Sequence, residues 1–129
     1  MDEDERLLSK VRELKANVAL EPDGRPTTIV LCGSTRFKQQ FQEAAEREIK
    51  LGKVVLTVAA FSHADGKPIS HEEKQRVDGL YMYYIEMAHE VLILNVNGYM
   101  GESTSRELAY AKYLQSTIHP YKRIRYLEN

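Results

Sequence analysis

The stretch Gly101-Glu102-Ser103-Thr104-Ser105-Arg106-Glu107 carries more usable chemistry than any other part of this 129-residue chain. It follows an apolar run, residues 91–96, that reads as a buried strand, and it leads into helical periodicity through residue 114. A strand that ends in glycine and hydroxyl residues and turns into a helix sets side-chain oxygens beside the free N–H groups of the helix start, where anions bind. Glu107, expected in the first helical turn, is a carboxylate that the helix macrodipole would hold ionised, suited to attacking or stabilising a positive centre at neutral pH. The spacing Thr104-x-x-Glu107 also fits a capping box, in which the acid merely returns to the N–H of the cap.

A second loop of the same kind, Gly33-Ser34-Thr35-Arg36, follows the apolar residues 28–32 and opens another helical pattern through Phe37, Phe41, Ala44, Ala45 and Ile49. Glycine lets backbone approach a ligand, hydroxyls and free N–H groups bind phosphate or sugar oxygens, and arginine forks onto phosphate. Either loop alone is accounted for by helix capping. Together, on neighbouring strands, they point to one small-molecule site. Neither is a dinucleotide fingerprint or a P-loop.

Other candidates surround these loops. Asp78 lies one residue from Val77 and three from Tyr81, as a partly desolvated acid or as the polar edge of an apolar face. Phe61 and His63 fall in a loop after the second strand, on the rim where they could reach the pocket or simply be solvated. No metal site is expected: His71-Glu72-Glu73 lacks a second histidine, and Glu86-x-x-His89 is a lone copy of a motif that di-iron bundles use in pairs. Cys32 reads as a buried strand residue with no histidine nearby in sequence to activate it.

The elements that must position these groups follow from periodicity. Residues 3–18 set Leu7, Leu8, Val11, Leu14 and Val18 at helical spacing, and a turn-rich linker, residues 21–26, follows. Strands are expected at 28–32, 54–58, 91–96 and 123–127, with an irregular segment over 61–69. Ser70-His71-Glu72-Glu73 is a capping box opening a helix whose apolar face is Val77, Leu80, Tyr81, Tyr84, Met87 and Ala88. This alternation calls for one α/β domain, Rossmann-like or flavodoxin-like in layout: a parallel sheet of four or five strands in the order 2-1-3-4, with helices on both faces. Residues 1–24 form the extra helix and linker, and residues 25–129 the domain.

A net charge of -1 gives no basic field for tracking a polymeric nucleic acid, and a single cysteine leaves no internal disulfide framework. With no long apolar stretch and no signal-type run, a soluble cytoplasmic protein without membrane partners is expected.

Leu31-Cys32-Gly33-Ser34-Thr35-Arg36, Phe61-x-His63, Met87-Ala88-His89-Glu90-Val91 and Gly101-x-Ser103-x-x-x-Glu107-Leu108-x-x-Ala111 occur in that order on one α/β frame. In these features, over residues 28–127, the chain resembles the nucleoside 2-deoxyribosyltransferase-like superfamily, which includes the deoxynucleoside 5'-monophosphate and cytidylate N-glycosidases. The resemblance implies a nucleophile at Glu107, an acid at Asp78 that assists the departing base, and sugar or phosphate contacts from residues 33–36. It also implies a homodimer or larger assembly in which neighbours close the pocket. The chain departs from the family pattern at His89, where an acid is common, and at Gly101, where transferases tend to carry an acid. The expected activity is hydrolysis of the N-glycosidic bond of a nucleoside 5'-monophosphate or related nucleotide. No cofactor is expected, and Gly33, Ser34, Thr35, Arg36, Phe61, His63, Gly101, Ser103 and Ser105 are the expected substrate contacts. Base exchange between nucleosides and a non-catalytic nucleotide sensor are the alternatives.

Overall fold

Thr28–Cys32 (β1) is buried at every position, as a strand is only when the sheet is covered on both faces and flanked on both edges. In the computed structural model, which describes residues 2–128, β1 lies between β2 (Val54–Leu56) and β3 (Glu90–Ile93), and β4 (Arg123–Tyr126) completes the sheet beyond β3. The order is β2-β1-β3-β4 and every pairing is parallel. The helices are α1 (Glu3–Lys15), α2 (Lys38–Lys50), the short α3 (Ser62–Asp65), α4 (His71–Met87) and α5 (Glu102–Thr117). The expected α/β fold and strand order are therefore observed. The strands at 54–58 and 91–96 are shorter than periodicity predicts, and α3 lies within the segment expected to be irregular.

Alternation along the strands sorts the core onto two faces. Ile29, Leu31, Leu92 and Leu94 pack on Phe41 and Ala44 of α2. Val30, Cys32, Val91 and Ile93 pack on Tyr81 and Ile85 of α4, on Ala88 at its C-cap, and on Leu108, Ala111 and Leu114 of α5. The chain leaves β1 through α2 toward β2, then crosses back through α4 to β3. The winding thus reverses between β1 and β3, and the crevice at their carboxyl ends is where such sheets bind ligands.

The opposite end of the sheet is tied by polar groups. The Thr28 N–H donates to His89 Nδ1 at 3.0 Å, and His89 Nε2 lies 2.7 Å from Asp23 Oδ2, which puts the ring hydrogen on Nε2. His89 therefore joins β1 to the linker. Arg25 adds a bond to the Met87 carbonyl at 3.0 Å, and its backbone N–H together with His89 holds the Asp23 carboxyl down to about 2. Buried Lys122 caps the end of α4, its Nζ donating to the carbonyls of Ile85 and Ala88. Burial lowers that amine to about 8.

Two expected apolar faces differ from the structure. On α4 the buried stripe is Tyr81, Ile85 and Ala88, while Val77, Leu80 and Met87 are exposed. Residues 71–80 lie at the edge of the core, where Asp78 is half-buried and Val77 remains 39% exposed. The α1 stripe ends at Lys15 rather than residue 18, and no α1 residue is buried among those described.

Candidate functional site

The register of α5 decides what Glu107 is. The helix begins at Glu102 with Gly101 as its N-cap, and no side chain caps it. Thr104 is thus the third helical residue, itself buried, and the capping box expected at Thr104-x-x-Glu107 does not form. Glu107 falls in the second turn, beyond the reach of the end-of-helix charges that were expected to hold it ionised. Burial governs instead. Glu107 is 6% exposed, and desolvation pushes its carboxyl up to about 7, with the charge of Asp78 adding to the rise and a hydrogen bond from Cys32 opposing it.

Beneath Glu107 lies the end of β1. Cys32 is fully buried, and its thiol is pushed well above the usual range, first by burial and then by the Glu107 charge. The Tyr81 hydroxyl donates to the Leu31 carbonyl at 2.9 Å, fixing α4 over the same strand end. Cys32, Tyr81 and Glu107 form a closed floor.

Asp78 stands in a contrasting environment at the mouth. Its carboxylate is 3.1 Å from Lys74 Nζ, one turn back on α4, and 3.1 Å from Arg106 Nη2 on α5. Both cations also reach the Ser103 hydroxyl, at 3.3 Å and 3.5 Å. Lys74, Asp78 and Arg106, with His71 and Gln75, line an open cleft of about 490 Å³. Two neighbouring helices therefore present two acids: Glu107, buried and without an ion-pair partner among the described residues, and Asp78, shared by two cations. Such divergence between paired carboxyls is the pattern of sites that divide proton and nucleophile roles.

Because Cys32 and Ile93 are partners in the sheet, the loops leaving β1 and β3 emerge side by side. The first is braced internally. Ser34 Oγ accepts from the Arg36 N–H at 3.3 Å and from Arg36 Nε at 3.0 Å, and the guanidinium lies 4.5 Å from the Tyr99 ring centre. The glycine at position 33 answers to packing, since a Cβ there would stand 2.9 Å from Leu94 Cβ. Thr35 Oγ1 accepts from the His63 N–H at 3.5 Å, which joins this loop to the start of α3. Phe61 is rooted edge-on against Phe41, the His63 side chain is exposed, and Lys38 pairs with Asp65 at 2.9 Å. Ser105 is exposed, and its N–H is spent on the Gly101 carbonyl.

The sequence-predicted residues thus fall into two groups. Asp78 lines the cleft, with Ser103 bonded to its two cations and Glu107 buried next to Arg106 in sequence, while Ser34, Thr35, Arg36, Phe61 and His63 form a second group tied to Tyr99 and α3. Sequence reasoning assigned no role to Lys74, Arg106 or Tyr99. The Lys74–Asp78 spacing of four on one helix was a readable signal. The approach of Arg106 from a second helix had none.

Comparisons with protein-family models, curated proteins and solved structures found no match to this chain. Among the described residues no group of three or more His, Cys, Asp or Glu side chains is placed to hold a metal ion, and no helix is long and apolar enough to cross a membrane.

Proposed function

We propose that the protein hydrolyses the N-glycosidic bond of a nucleoside 5'-monophosphate or related nucleotide, with Glu107 as nucleophile. The observation that carries this reading is the buried Glu107 carboxyl, lifted to about 7 by desolvation and one residue from Arg106 in the lining of a cleft that holds a second acid. A desolvated carboxylate attacks better than a solvated one, and at neutral pH about half of such groups are ionised. A Glu107 oxygen bonds to the anomeric carbon as the bond to the base nitrogen breaks through an oxocarbenium-like transition state. The bonding pair leaves with the base, and Asp78, once it has left its cations and taken a proton from solvent, donates that proton to the base nitrogen. Water then attacks the anomeric carbon of the glycosyl ester, giving its proton to Asp78, and free sugar phosphate departs with Glu107 restored.

The rim residues Ser34, Thr35 and His63 contact the sugar and base from the β1 side, and Ser103 does so from the α5 side. The test is incubation with a panel of nucleoside 5'-monophosphates, followed by chromatography of the products. Free base with sugar phosphate is the expected result. A new nucleoside formed only when a second base is added would mean exchange, and unchanged nucleotide with measurable binding would mean a sensor; each replaces hydrolysis.

A further inference from the structure

Taking the cleft, as above, to be one for a nucleotide, we infer that Lys74 and Arg106 are its phosphate-recognising pair and that Asp78 occupies them as an internal counter-ion until a phosphomonoester displaces it. The groups facing this point are Lys74, His71 and Gln75 from α4, with Arg106 and Ser103 from α5. Among the described residues Asp78 is the one acid lining the cleft. Two cations converge on one carboxylate, and both also donate to the Ser103 hydroxyl. That donor set exceeds what a single negative charge requires. A phosphomonoester brings about 1.5 to 2 negative charges and three acceptor oxygens, so it satisfies the set more fully.

The cations are free to turn. Lys74 and Arg106 are 54% and 47% exposed, and ion pairs in such positions are held weakly. Arg36, the arginine that sequence alone favours for phosphate, is otherwise engaged, its Nε on Ser34 and its guanidinium over Tyr99. It braces the rim. Exchange of partners also links recognition to chemistry: phosphate draws both cations away from Asp78 and frees that carboxyl to meet the base. A plain nucleoside leaves Asp78 tied, so the missing phosphate lowers kcat as well as raising KM.

Binding of 2-deoxyribose 5-phosphate, measured by calorimetry on the full chain at low salt, tests the assignment without any turnover. Lys74→Met and Arg106→Met should each weaken binding by about 10-fold or more, since each removes a charge-assisted bond. Asp78→Asn should tighten it, because the competing carboxylate is gone, and Arg36→Ala should leave it nearly unchanged. Thermal melts of each variant separate a binding loss from a folding loss. Wild-type affinity in the Lys74 and Arg106 variants, weaker binding by Asp78→Asn, or loss of binding in Arg36→Ala would each overturn the inference. Failure to release base, with this binding pattern intact, would instead sink the hydrolase reading alone.

Discussion

Cys32 and Glu107 are buried together at the carboxyl end of β1, where the thiol favours the Glu107 anion. The influence is one-sided: burial and the Glu107 charge lift the thiol, while burial and Asp78 lift Glu107 to about 7 and the thiol opposes that rise. The thiol therefore stays protonated and serves as a donor that favours the Glu107 anion. It is the contact from below that keeps Glu107 from rising further.

The pH profile reports this directly. Below about 7, kcat/KM for a nucleotide should fall roughly tenfold per pH unit as the nucleophile becomes protonated, and above 7 it should level off. Cys32→Ala removes the donor and should move the midpoint upward. A profile flat from pH 5 to 8 would exclude an ionised Glu107 as the attacking group.

Glu107→Gln should abolish base release while stabilising the fold at high pH. The folded carboxyl titrates at about 7 against an ordinary value of 4.5, so between these the folded state holds a proton that the unfolded chain has lost. Stability is full below about 4.5 and is lost as pH rises through 7, by roughly 3 kcal/mol at 1.36 kcal/mol per unit. Glutamine never ionises and escapes that loss. Denaturant curves should show the variant more stable than wild type at pH 8 and the gap closing at pH 4.5. A variant less stable than wild type at pH 8 would contradict the burial argument.

The fold was legible because β1 and β3 are continuous apolar runs set between helical patterns, which leaves few arrangements for a parallel sheet. The site was legible in part. Helix ends are uncertain by a residue or two from sequence, and here the difference between Thr104 and Glu102 as the start of α5 matters chemically. It moves Glu107 from the first turn to the second and turns an acid held ionised by the helix end into one lifted by burial. The α4 face misleads for another reason. Its first turns lie at the edge of the core, so apolar Val77 stays partly exposed while Asp78 meets a cation from α5. Only the tertiary pairing of α4 with α5 reveals that contact.

Lys122 offers a test away from the site. Its ammonium is buried on the carbonyls of Ile85 and Ala88, with burial and then the charge of Arg25 lowering it to about 8 from 10.5. Between those values the unfolded chain holds a proton that the folded state lacks, so folding gains stability as pH rises from 8 toward 10.5 and loses it as pH falls through 8. Lys122→Met strips the donors from the α4 terminus, at a cost of about 1–3 kcal/mol. The variant should be less stable than wild type, by more at pH 10 than at pH 7. An unchanged difference between those two pH values would mean that the amine does not titrate in this range.

The last prediction concerns α1. This helix is well formed by its ends, with Asp2 as N-cap, acids in the first turn and Arg12 and Lys15 in the last, which complement the helix dipole. At 13 residues it is nonetheless too short to be stable alone, and Leu7, Leu8, Val11 and Leu14 are each about half exposed. Leu80, Tyr83 and Met87 of α4 are about half exposed or more as well. We propose that a second copy covers these surfaces, since a symmetric pair is the commonest assembly of small soluble proteins. Sedimentation at micromolar concentration should give a dimer or larger species for the full chain. Deleting residues 1–20 should lower its mass or expose apolar surface to a dye such as ANS. A full-length monomer whose activity does not change on dilution would show that no neighbour is needed to complete the cleft.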